Sequence, residues 1–116
     1  MEKSQYEKLP VILNSDDGYP TPEWIEFIEQ FAPDKSMSIR DFLDNLKDSW
    51  WPNGEGFRLK RKYDRKVKLE LHTNGWSGNE EMIDALNANT FLKAIYIRPK
   101  KWIVGGHYYY EVKVSD

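Results

Sequence analysis

The sequence predicts an α+β domain: a four-stranded, antiparallel-rich sheet with helices packed on one face, in the order helix, helix, strand, strand, helix, strand, strand. Three observations predict it. Apolar residues recur at helical spacing over 22–50, then switch to a period of two over 57–72 and again over 107–114. Clusters of Gly, Pro, Asn and Asp punctuate these stretches. No repeat or linker divides the 116 residues, so one domain, 1–116, accounts for the chain, with 1–8 as a flexible tail.

The elements follow in order. Leu9-Pro10-Val11-Ile12-Leu13 reads as a short edge strand or an anchored extended segment, and Asn14-Ser15-Asp16-Asp17-Gly18 as a turn. Thr21 is an N-cap and Pro22 suits the first helical position, where its missing N–H costs nothing. Trp24, Ile25, Ile28 and Phe31 form the apolar stripe of that helix, and Pro33 ends it. Ser38 caps the second helix, whose stripe is Ile39, Phe42, Leu43, Leu46 and Trp50, and Pro52-Asn53-Gly54 stops it. Phe57, Leu59 and Tyr63 alternate with Arg58, Lys60 and Lys62. Asp64-Arg65 turns, and Val67, Leu69 and Leu71 then alternate with Lys68, Glu70 and His72, completing an amphipathic hairpin. Ser77 and Glu80 fit a capping box opening the third helix, with Met82, Ile83 and Leu86 inward and Asn89 at its end. Leu92 to Ile97 reads as the third strand, Arg98-Pro99-Lys100-Lys101 as a turn, Gly105-Gly106 as another, and His107 to Val114 as the fourth strand.

Composition excludes several functions. There is no cysteine, hence no disulfide scaffold, thiol catalysis or Cys-ligated metal. His72 and His107 with Glu70, Glu80 and Glu111 match no defined metal or catalytic spacing, so neither a metal, a cofactor nor an enzymatic activity is expected. No apolar run approaches the roughly 20 residues that span a bilayer, and no secretory segment opens the chain, so the expected location is cytoplasmic, away from membranes.

Charge is divided. Residues 1–55 carry 5 basic and 12 acidic side chains and residues 56–116 carry 12 and 7, against a whole-chain net of −2. Arg58, Lys60, Lys62, Lys66 and Lys68 project from one face of the hairpin, enough charge for several phosphate contacts. A solvated face that discourages edge pairing is the favoured explanation, which makes nucleic acid the lesser partner expectation.

Topology carries the functional expectation. The second strand ends, and the first and fourth begin, at one end of the sheet. A helix of about 11 residues, roughly 16 Å long, matches a strand in length and returns the chain to the opposite end. The stretches 50–54, 73–79 and 105–107 therefore gather on a common rim. This nominates Trp50, Trp51, Trp76, Ser77, Asn79, Glu80, His107 and Tyr109 as partner- or ligand-binding residues, because loops at one end of a rigid scaffold commonly carry function. Trp residues supply hot spots or stacking surfaces, and a helix start with His107 offers donors to an anion.

The run Leu71-His72-Thr73-Asn74-Gly75-Trp76-Ser77-Gly78-Asn79-Glu80-Glu81, with Asp84-Ala85-Leu86 and the later Gly105-Gly106-His107-Tyr108-Tyr109-Tyr110-Glu111, resembles a family of small proteins of tailed phages and prophages. Gly18-Tyr19-Pro20-Thr21-Pro22-Glu23 and Trp50-Trp51 are similar to its members as well, and the resemblance extends over about 9–114. Asn74 replaces a usual Gly, and Ile103-Val104 stand where relatives tend to have basic residues. The resemblance implies no particular activity, only a phage context in a bacterial host, where small accessory proteins act on host or defence components by binding them. Together with the divided charge and the aromatic surplus it suits a non-enzymatic module that binds and blocks a host or defence protein, a counter-defence inhibitor. The alternative is a binder of a small anionic ligand such as a nucleotide signal, held by the loops at Trp76–Asn79 and Gly105–His107.

Overall fold

A computed structural model describes residues 4–61 and 65–114. Among the described residues are five helices and four strands, in the order α1 (Gln5–Lys8), α2 (Pro22–Gln30), α3 (Ile39–Ser49), β1 (Phe57–Arg61), β2 (Lys66–His72), α4 (Ser77–Ala88), α5 (Thr90–Ile95), β3 (Ile97–Ile103) and β4 (His107–Lys113). The strands form one antiparallel sheet in spatial order β1-β2-β4-β3. This is the α+β class, with two short helices beyond the expected order. Lys62, Tyr63 and Asp64 lie outside the described residues.

Local chemistry sets the helices. Thr21 caps α2 by accepting from Trp24 N, with Pro22 at its start. Ser38 and Asp41 form a reciprocal capping box on α3: Ser38 Oγ accepts from Asp41 N and Asp41 Oδ2 from Ser38 N. All five apolar residues of the α3 stripe are buried. Asn89 ends α4, then caps α5 by accepting from Leu92 N. Its amide donates to the carbonyls of Ile28 and Phe31 and so satisfies the end of α2.

Three expectations are corrected, the tail over 5–8, the start of the third strand and the turn over 98–101, while one of the two readings of 9–13 holds. Residues Gln5–Lys8, assigned to a tail, form a helical turn whose amides at Gln5 and Tyr6 donate to Asp34 and Ser36 side chains. Leu9–Leu13 is the extended segment, with Leu9 and Leu13 packed on the core and only Asn14 bridging to Pro20. The third strand is displaced. Leu92–Ile95 is helical because the Asn89 cap extends the helical path, leaving Leu92 inward and Phe91 and Ile95 out. The expected turn 98–101 lies within β3. Pro99 is tolerated there because β3 is an edge strand, and a register shift between Pro99 and Lys101 absorbs the irregularity.

The core lies between the helices and the inner sheet face of Val67, Leu69, Leu71, Tyr110 and Val112. Phe31 and Phe42 stack at 4.3 Å, nearly parallel. Trp24 Nε1 donates to Ser49 Oγ at 2.9 Å, and that hydroxyl donates to Leu46 O, so two buried polar groups are paired. No helix among the described residues is long and apolar enough to cross a membrane. Phe42→Ala removes a fully buried ring and with it the stack on Phe31. It is expected to lower unfolding free energy by about 3–5 kcal/mol in a urea titration.

Candidate functional site

The rim is real, and backbone chemistry builds it. β2 ends at His72, opposite His107 at the start of β4. Thr73 N donates to Gly106 O, tying the β2–α4 loop to the β3–β4 turn. Gly106 has φ +85°, and a Cβ there would collide with Thr73 Oγ1, so both conformation and space demand glycine. His72 N donates to Gly56 O and Trp50 Nε1 to His72 O, which brings in the α3–β1 loop.

Asn79 locks the loops together. It is fully buried. Its Oδ1 accepts from Trp51 N at 3.0 Å, and its Nδ2 donates to Trp51 O at 2.6 Å and Thr73 O at 3.2 Å. The side-chain amide thus pairs both backbone polar groups of one residue, as a neighbouring strand would.

A fourth segment joins them. Tyr19, on the 14–20 turn, packs against Trp76 at 4.5 Å, and its hydroxyl is 3.0 Å from Ser77 Oγ. Trp51 lies 5.9 Å from Trp76 and covers Gly18. The sequence names the turn but not this role. Its sequence signal is Gly18-Tyr19-Pro20, an aromatic residue held between a turn glycine and a proline, and Gly18 takes a φ of +89°.

The nominated residues divide by burial. Trp50 and Asn79 are buried and hold the fold, offering nothing to a partner. Trp76 is half-buried between Tyr19 and Trp51. Trp51, Ser77 and Glu80 are exposed, and His107 and Tyr109 half-exposed. The capping box at α4 is absent: the N-cap is Trp76, without a side-chain cap bond. Ser77 falls one position too late to cap and turns to Tyr19, while Glu80 Oε2 accepts from Thr73 Oγ1.

Below the rim, on the sheet's outer face, His72 Nδ1 and His107 Nδ1 are 2.8 Å apart. One ring donates and the other accepts. His72 Nε2 lies 3.5 Å from Glu70 Oε1. Glu70 also pairs with Lys60 at 3.1 Å and Lys68 at 3.5 Å. Desolvation alone would raise its pKa. The hydrogen bond and charge of Lys60, with His72 and Lys68, outweigh that and hold the carboxyl below its ordinary range. No group of three or more His, Cys, Asp or Glu among the described residues is placed to hold a metal ion.

Two surface features have no counterpart in the sequence reading. The β3–β4 tip exposes Trp102, Ile103 and Val104, the first at 68% and the last at 86%. Away from the rim, a groove of about 870 Å³ runs between the 10–16 segment and α2, lined in part by Val11, Ile12, Glu23 and Phe27.

Comparison with protein-family models, curated proteins and solved structures finds no match.

Asn79→Ala should cost about 3 kcal/mol in a denaturant titration, because it strands the backbone N–H and C=O of Trp51. Ser77→Ala, outside any cap, should stay within about 0.5 kcal/mol. Acid titration of stability checks the Glu70 cluster. A carboxyl depressed in the folded state stabilises above its ordinary value of 4.5 and loses that contribution as pH falls through the folded value. Glu70→Gln should therefore flatten the decline in stability below about pH 4.5.

Proposed function

We propose that this protein is a non-enzymatic binding module that engages another protein through the loop rim and the adjoining β3–β4 tip. The observation that carries this is the exposed apolar run Trp102-Ile103-Val104 at the end of a well-paired hairpin. Exposed Trp with aliphatic neighbours gains free energy on desolvation, and Trp is the residue type most enriched at interface hot spots. Trp102 is pre-ordered by a near-parallel stack on Tyr108 at 6.1 Å, so little side-chain entropy remains to be lost on docking. Trp51, 41% exposed on the same rim, adds a second indole surface.

The resemblance to small phage and prophage proteins supports a host or defence protein as the partner, met in the cytoplasm of a bacterial host, with inhibition by occupancy as the outcome. The Asn79 lock supports a rigid rim that binds without rearranging its backbone.

Affinity purification of the tagged chain from host lysate tests this. One host protein is expected in stoichiometric amount with the native chain, and at least tenfold less with a Trp102→Ser, Val104→Ser chain of unchanged urea midpoint. Recovery of background proteins alone at low and physiological salt, or equal recovery by both chains, counts against the proposal.

A further inference from the structure

Register fixes what the outer sheet face carries. Lys60 faces Lys68, Arg58 faces Glu70, Lys66 faces Lys113, and Glu70 faces Tyr109, with Lys101 beside Tyr109 on β3. Arg98, opposite Glu111, completes the face. Seven Lys and Arg side chains therefore share it with two carboxylates, Glu70 and Glu111. Glu70 is matched by Lys60 and Lys68, and Glu111 by Lys66 at 3.7 Å. Arg58, Arg98, Lys101 and Lys113 have no carboxylate partner among the described residues. They span the sheet from β1 to β3, three inter-strand gaps or roughly 14 Å.

Edge protection does not account for this pattern. Lysines guard sheet edges, but Lys66, Lys68 and Lys113 lie on the central strands β2 and β4. Two like-charged pairs sit directly opposite each other, Lys60 with Lys68 and Lys66 with Lys113, an arrangement that destabilises a sheet. A surface serving only solubility would intersperse the signs.

Rings stand in the middle of the charge. The Tyr109 ring has Lys68 Nζ at 5.5 Å and Lys101 Nζ at 5.0 Å from its centroid, and His72 meets it edge-on at 5.8 Å. His107 extends the row toward the rim.

We infer that the outer face of the sheet binds single-stranded nucleic acid, its phosphates paired with Arg58, Arg98, Lys101 and Lys113 and a base stacked on the Tyr109 face that Lys101 vacates when it turns to a phosphate. A sheet face with central rings surrounded by cations suits unstacked bases, whereas a paired duplex would bury its bases away from those rings. This site is separate from the apolar tip and does not rest on the protein-binding proposal.

Fluorescence anisotropy of the full chain with labelled 12-mers of oligo-dT and oligo-rU is the test. Four phosphate contacts predict a slope of about −3 in log K against log salt. Arg98→Gln with Lys101→Gln should shrink that slope by about 1.4. Tyr109→Leu should weaken binding about tenfold at unchanged slope. Trp102→Ser should leave affinity intact, which separates this result from the partner experiment. The inference is overturned by absence of saturable binding at 50 mM salt, by equal affinity for a duplex of equal charge, or by native affinity in the folded Tyr109→Leu and Arg98→Gln, Lys101→Gln chains. Transfer of the binding defect to Trp102→Ser overturns it as well, as does binding to phosphatidylserine vesicles in place of the oligonucleotides.

Discussion

One buried amide, the side chain of Asn79, sets the upper end of this molecule. Three loops converge there, and loop backbone has no ladder or helix to satisfy it. Asn79 supplies a donor and an acceptor to both sides of Trp51 and a further donor to Thr73 from within α4. The helix thereby fixes the α3–β1 loop, and Thr73 passes the constraint to Gly106 on the β3–β4 turn. Trp51 and Trp76 take their positions from this framework, and Tyr19 packs on Trp76. The rim is rigid because its main-chain groups are paired, not because its side chains are large.

Charge is arranged around the same scaffold. The acidic excess of residues 1–55 lies largely on segments and helices before the sheet, while the sheet carries the basic excess on the face turned away from the core. Folding thus turns an asymmetry along the chain into one between faces. A chain of net charge −2 still presents a local positive field to an anionic ligand, and local field, not net charge, steers encounter.

Legibility followed the strength of local signals. Helix α3 was readable to its ends because cap, stripe and stop agree on one answer. The β3 boundary was not. Leu92–Ile97 is apolar at nearly every position, a pattern that fits a strand or a short helix equally, and the deciding group, the Asn89 cap, was already assigned to ending α4. Convergence of the loops was readable from topology and element length. The roles of Trp50 and Asn79 were not, since residue type does not say whether a side chain points into the fold or away from it. The contact of His72 with His107 needs the β2–β4 register, which no local pattern encodes.

The β3–β4 hairpin joins the two proposed surfaces, and strand alternation keeps them apart. Trp102 pairs with Tyr108 on the side of the core, while Lys101 and Tyr109 stand together on the outer face. Adjacent residues in sequence therefore belong to opposite sides of a ribbon one chain thick. The irregularity at Pro99–Lys101 matters here. Without the register shift, Lys100 would stand opposite Tyr109, Lys101 would turn to the core side, and Trp102 would fall opposite His107 on the outer face. A bulge on an edge strand is the least disruptive place for such a shift, because no further strand must follow it. The same proline that misleads a sequence reading into a turn thus marks the position where β3 is re-aimed, which keeps the Trp102 indole on the side of Tyr108 and off the charged face.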